Sequence, residues 1–150
     1  MSELRDRITI CITTFIRTAP LQRLLVSIDK RYPDVPRVVV DTQGNLSRGR
    51  AEAIAQAKTE FIMVCDDDLL FERRTSLSTL MSVLDHDPEI GGACGVVHEV
   101  RANQDVYWYA NMRRFRRQLL YEMPTDQRTL PNGTQYIACD LVCNAGVWRK

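Results

Sequence analysis

The chain has 150 residues, 45% hydrophobic and 26% charged, which is enough for one domain with a buried core and is the charge content of ordinary soluble domains. Twenty Lys and Arg against nineteen Asp and Glu leave a net charge of +1, so no broad basic field exists and no nucleic-acid partner is predicted. No stretch approaches the roughly 20 apolar residues of a membrane span. The polar start Met1-Ser2-Glu3-Leu4-Arg5-Asp6 lacks the apolar centre of a signal peptide, and a cytoplasmic protein is expected.

Arg7 to Thr14 is a β-rich run, apolar at Ile8, Ile10 and Ile12, and reads as a strand. Thr18 and Pro20 signal a helix start, and Leu21, Leu24, Leu25 and Ile28 follow at helical spacing up to Tyr32-Pro33-Asp34. Val38-Val39-Val40 is a buried strand that ends at Asp41, before the turn residues Thr42-Gln43-Gly44-Asn45. Ser47 is placed to cap a second helix containing Ala51, Ile54, Ala55 and Ala57. Phe61 to Cys65 is a third buried strand, running into Asp66-Asp67-Asp68. Leu77, Leu80, Met81 and Leu84 mark a third helix stopped by Asp87-Pro88, and Gly91-Gly92 opens a fourth strand through Val97. This β-α-β-α-β-α-β order predicts an α/β domain with a parallel sheet. Beyond about residue 100 the pattern weakens, and strand character returns at Tyr136 to Val142.

Five cysteines is an odd count, and Cys11, Cys65 and Cys94 sit in apolar runs, so buried reduced thiols are expected. Cys139 and Cys143 have no second Cys or His pair to complete a zinc site. Tyr107-Trp108-Tyr109 and Arg113 to Arg117 could stack on and grip a single strand, but with a neutral total charge they read as a solvated helix face or an oligomer contact. His86 and His98 read as structural.

Open parallel sheets bind ligands beyond the carboxyl ends of their strands. Here those ends carry Thr13-Thr14-Phe15, Asp41, and Asp66-Asp67-Asp68. Three adjacent carboxylates repel one another unless a cation is bound. Continued alternation would put Asp66 and Asp68 on one side and Asp67 on the other. Hard oxygen ligands suit Mn²⁺ or Mg²⁺, with phosphate oxygens completing the shell. The competing reading is a solvated acidic turn that caps the next helix, and the apolar strand that runs into the triplet favours the metal. Glu99, after the fourth strand, is a candidate for lining the same cleft.

The ordered set resembles family 2 glycosyltransferases. Thr14-Phe15 and Arg17 stand where that family has a Thr, an aromatic and an Arg after the first strand. Val39-Val40-Asp41 is similar to its second strand, and Ser47-Arg48-Gly49-Arg50 with Phe61 to Asp68 to its Ser-x-Ala-Arg-Asn helix start, third strand and Asp-x-Asp motif. A closer likeness is to the β-1,4-N-acetylgalactosaminyltransferase branch (ganglioside synthase type), through the Asp triplet, Arg74-Thr75, Gly91-Gly92 and Cys139 to Asn144.

The resemblance implies a GT-A (Rossmann-like), mostly parallel sheet with helices on both faces. It implies transfer of a sugar from a UDP-sugar to a hydroxyl of an acceptor, a sugar or glycoconjugate. The nucleotide-binding residues it implies are Thr14, Phe15, Arg17, Asp41, Arg50, Asp66 and Asp67. Asp41 would meet the uracil N–H and Asp66 the ribose, while Asp68, with Asp66, would hold Mn²⁺ or Mg²⁺. Arg50 or Arg48 would add positive charge beside the diphosphate. The family's Ala-Arg-Asn is Gly49-Arg50-Ala51 here, so of the three only the Arg is kept. Its catalytic base lies beyond the segment matching Asn144, where this sequence has no matching Glu or Asp, so the catalytic residue is unassigned; Asp140, the only acid near the end, and Glu99 are the residues to test first. Residues 1–150 are thus expected to form one donor-binding domain truncated on the acceptor side, with 1–100 the nucleotide-binding half and 101–150 a partial acceptor-side segment. The alternative is a non-catalytic nucleotide-binding or assembly module, with Tyr107 to Arg117 as a homo-oligomer contact. A nucleotidyltransferase would open with a Gly-rich loop, and residues 13–20 contain no Gly.

Overall fold

Three isoleucines at alternate positions of β1 (Ile8–Thr14) point to one side of the sheet, and all three are fully buried. The structure, a computed structural model, describes residues 3–16, 18–95, 97–101, 104–108, 112–115, 118–121, 126–138 and 145–150, by backbone alone in the strands between 97 and 121. A single helical turn, α1 (Leu4–Arg7), precedes β1. The alternation then runs α2 (Thr18–Arg31), β2 (Arg37–Asp41), α3 (Leu46–Gln56), β3 (Phe61–Asp66), α4 (Leu77–His86) and β4 (Gly92–Cys94). β5 (Val97–Arg101) pairs with β6 (Gln104–Trp108), β7 (Met112–Phe115) with β8 (Gln118–Tyr121), and β9 (Gln127–Thr129) with β10 (Gln135–Ile137), each pair antiparallel. The last strand is β11 (Gly146–Arg149).

The main sheet has the order β2-β1-β3-β11-β4. β1 is parallel to both β2 and β3, and β11 is antiparallel to β3 and to β4. Helices cover both faces. On one side α2 and α4 pack Leu24, Ile28, Leu77, Met81 and Leu84 against Ile8, Ile10, Ile12, Phe61, Met63 and Val147. On the other, Ala53 of α3 and Ala57 just after it pack against Cys11, Val40, Ile62 and Val64. This is the mostly parallel α/β sheet of the GT-A class, with helices on both faces.

Several local expectations are corrected. The fourth strand stops at Cys94, and β5 leaves the sheet as half of a hairpin. Between β3 and β4 lies β11, whose residues the sequence pattern did not mark as a strand. β11 fits because the Trp148 ring lies on Gly92, where an added Cβ would stand 2.6 Å from a ring carbon. The second helix is capped by Asn45, whose side chain accepts from the Arg48 N–H, and not by Ser47. The run expected as a helix face at Arg113 to Arg117 is extended in β7 as far as Phe115. Cys11 and Cys65 are buried free thiols, whereas Cys94 is half-buried. Burial pushes the Cys11 thiol up to about 11 and the Cys65 thiol upward as well, so both are inert at neutral pH. Among the described residues no helix is long and apolar enough to cross a membrane.

Candidate functional site at the carboxyl edge of the sheet

The register fixes what meets at this edge. Asp41 on β2 lies opposite Thr14, and Asp66 on β3 lies opposite Thr13, so the two acids flank β1. Two strand spacings separate them, about 10 Å. The structure therefore brings together Thr14, Asp41 and Asp66, drawn from three consecutive strands.

β3 ends at Asp66, and the triplet goes on as a turn in which the Leu69 N–H reaches the Asp66 carbonyl at 3.4 Å. The alternation of β3 still decides the first two acids. Asp66 follows Ile62 and Val64 onto the α3 face, where its Oδ1 accepts from the Thr13 hydroxyl at 3.0 Å and Arg50 Nη2 donates to both carboxylate oxygens at 2.9 Å. Asp67 turns the other way and is fully buried, with its Oδ2 accepting from the Thr14 hydroxyl at 2.6 Å. A buried carboxylate is tolerated only when hydrogen-bonded, and Thr14 supplies one such bond. Asp68, beyond the end of the strand, is exposed in the turn.

The chain after the triplet is tied down. The Phe71 N–H donates to Ser27 Oγ, and the Phe71 ring meets Tyr32 edge-on at 6.0 Å. The Tyr32 hydroxyl donates to the Thr75 carbonyl and accepts from the Leu77 N–H. Ser27 of α2 and Tyr32 just after it thus hold the strap from Phe71 to Leu77, and with it the far end of the acidic turn. Sequence reasoning did not find this strap; the aromatic pair Tyr32 and Phe71 was its available signal.

On the β2 side, the Asp41 carboxylate accepts from the Gln43 N–H at 3.0 Å, and Gln43 and Gly44 follow with positive φ. Phe15, 45% exposed, lies within 3.9 Å of where a side chain on Gly44 would begin. Ile16 is 77% exposed with φ of 57°, an unfavourable conformation for a β-branched residue. Such strain gathers where function demands it. Gly49, where the resembled family has Ala, lets α3 approach β2: an added Cβ would stand 2.5 Å from Thr42 Cγ2.

The placements of the remaining candidates follow. Arg48 is exposed. Glu99 stands in β5, outside the main sheet, and its side chain lies outside the described residues. Arg17 and Asp140 also lie outside the described residues. Asp67, expected among the nucleotide-binding residues, offers no surface to a ligand in this structure. Thr13 was not singled out for a role, although its register opposite Asp66 follows from the strand alignment.

Among the described residues, no three His, Cys, Asp or Glu side chains converge to hold an ion. Mg²⁺ uses one or two carboxylates and takes its other ligands from water and substrate phosphates. Asp68, an exposed carboxylate at the tip of an anchored turn, fits as one such donor.

A mostly parallel α/β sheet flanked by helices, here with acids at the carboxyl ends of β2 and β3, is consistent with the GT-A fold of glycosyltransferases. The chain matches glycosyl transferase family 2 over residues 19–147 and belongs to that family. It is 31% identical over 102 residues to beta-1,4 N-acetylgalactosaminyltransferase 2 of Mus musculus, covering 55% of this chain and 20% of that protein. It is 32% identical over 107 residues to beta-1,4 N-acetylgalactosaminyltransferase 1 of Homo sapiens, covering 57% and 20%. The chain thus spans about a fifth of the length of these relatives. No solved structure matches it significantly.

Proposed function

We propose that this domain is the donor-binding part of a glycosyltransferase that takes a UDP-sugar with Mn²⁺ or Mg²⁺ and transfers the sugar to a hydroxyl of a sugar or glycoconjugate acceptor. The observation that supports this best is the edge itself, where Asp41 and Asp66 flank the two threonines of β1 and Asp68 stands exposed beyond. In this reading the Asp41 carboxylate accepts from the uracil N–H. Phe15, beside the bare Gly44, offers its ring to the base. Asp66, already fixed by Thr13 and Arg50, accepts from ribose hydroxyls. Asp68 would hold the cation, which supplies charge stabilisation to the departing diphosphate. Asp67 serves as an internal anchor of the turn. Acceptor deprotonation is left to Asp140, Glu99 or a residue of a longer protein. N-Acetylgalactosamine is the sugar named for the relatives, and it is the first donor to try.

Calorimetry of UDP with and without Mn²⁺ tests the site. Mn²⁺ should tighten UDP binding at least tenfold, because the diphosphate otherwise meets the acidic turn unscreened. Asp68→Asn should remove most of that gain, while Asp41→Ala should weaken UDP with or without metal. Metal-independent binding that Asp68→Asn leaves unchanged would overturn the assignment.

A further inference from the structure

The acidic triplet is not a group of three equivalent ligands, because three side chains already sort it. Thr13 and Arg50 claim Asp66 on one face of the sheet, and Thr14 claims Asp67 on the other. Of these, Arg50 carries the charge. It sits on α3, next to the Gly49 that lets the helix close on Thr42, so its reach to Asp66 depends on that close approach. Arg50 and Asp66 are both largely shielded, with side chains 22% and 33% exposed. The contact is also unusual in form. A guanidinium prefers to meet a carboxylate as a two-nitrogen fork. Here one nitrogen, Nη2, serves both oxygens, and Nε is buried without a hydrogen-bond partner.

We infer that Arg50 is a positioning residue that acts on the donor through Asp66, committing that carboxylate to the nucleoside and away from the cation. The inference rests on the donor-site reading above, and it departs from the expectation drawn from the family resemblance, which set Arg50 or Arg48 beside the diphosphate. With Thr13 and Arg50 both donating to Asp66, the carboxylate cannot turn away from them without breaking those contacts. What it can still do is accept from hydroxyls approaching from the open edge. Neutralising Asp66 also keeps a second full negative charge away from the incoming diphosphate.

The test uses the full chain and two ligands, uridine and UDP with Mn²⁺, against Arg50→Gln, Arg50→Lys, Asp66→Asn and the double variant Arg50→Gln with Asp66→Asn. If Arg50 works through Asp66 on the nucleoside, Arg50→Gln weakens uridine and UDP by the same factor, about tenfold. Asp66→Asn does the same, and the double variant is no weaker than either single one. Arg50→Lys recovers most of the loss, because a single nitrogen can carry both bonds. A loss confined to UDP, with uridine unchanged, would mean that Arg50 touches the phosphates directly and would overturn the inference. So would a double variant about a hundredfold weaker, the product of two independent losses. Thermal melts of each variant separate binding from folding, and the lysine variant keeps the test open if the glutamine one unfolds. Failure of the donor reading is a different result: UDP binding by the native chain that neither Mn²⁺ nor Asp68→Asn alters.

Discussion

The two ends of the central sheet use the same residue types to different effect. At the amino end, two acids and two arginines alternate in a chain. Asp85 takes Arg7 at 2.6 and 2.9 Å, Arg7 reaches Glu60 at 3.4 Å, and Glu60 takes Arg149 at 3.2 Å. Both guanidinium groups also stand over the buried Phe61 ring, 5.1 and 5.3 Å from its centre. Both of these acids meet an arginine. At the carboxyl end, the acids are adjacent in sequence and are held apart by hydroxyls and by one arginine. Among the described residues, the only non-glycine positive φ values, at Ile16 and Gln43, also fall at that end. The amino end is arranged as an anchor, while the carboxyl end keeps like charges and strained backbone at the edge where we propose the donor binds.

If that division holds, damage at the anchor should cost stability and leave affinity alone. Phe61→Ala removes a fully buried ring from the larger core and from between two arginines. It should cost about 3–5 kcal/mol in urea unfolding. In the protein that remains folded, the affinity for UDP with Mn²⁺ should change less than about twofold, because substitutions that share no partners add independently. A large change in affinity would show that the two ends are coupled through β3.

Gly49→Ala probes the seam between the two behaviours. The added methyl would stand 2.5 Å from Thr42 Cγ2 and 3.2 Å from Thr42 Cα, so α3 must move away from β2. Overpacking of this kind costs about 1–3 kcal/mol. Arg50 moves with the helix, so here stability and UDP affinity should fall together. Unfolding and calorimetry on the same preparation check this, and an unchanged affinity would mean that Arg50 keeps its grip on Asp66 without the close approach.

Much of this edge could be read from the sequence because it is local. Each of the first three strands is a short apolar run ending in the residue that matters, and alternation alone sends Asp66 and Asp67 to opposite faces. What escaped the reading is non-local. β11 has four residues, Gly146-Val147-Trp148-Arg149, with too little pattern to announce a strand, and its place between β3 and β4 is set by packing such as Trp148 on Gly92. Arg50 reads as a free cation near a helix start until α3 is docked and its guanidinium is seen to lie on Asp66. The position of Asp68 depended on whether the strand continued, and the turn after Asp66 ended it. Asn45 displaced Ser47 as the cap because the helix begins one residue earlier than the serine.

The smallest effect expected lies at the anchor and depends on pH. The Asp85 carboxyl is held below the usual carboxylate range, first by its hydrogen bonds with Arg7 and further by the charges of Arg7 and Arg149, against the opposing effect of burial. A carboxyl whose folded value is depressed contributes stability that is fully present above its unfolded value, about 3.9, and is lost as pH falls through the folded one. Arg7 is pushed above its ordinary value, chiefly by the same hydrogen bonds, and stays charged throughout, so Asp85 is the group that titrates. With the Asp85 side chain 43% exposed, solvent screening limits the contribution to about 0.5 kcal/mol. Asp85→Asn should therefore unfold at slightly lower urea than the native chain at pH 7, and the gap should shrink in high salt. Below the depressed value of Asp85 the gap should close, because the native carboxyl is then neutral too. A gap that persists at such acidity would mean that Asp85 stabilises the amino end through its shape and hydrogen bonding and not through its charge. The contrast between an anchoring end built on matched charges and a ligand-facing end built on adjacent like charges would then lose one of its two supports.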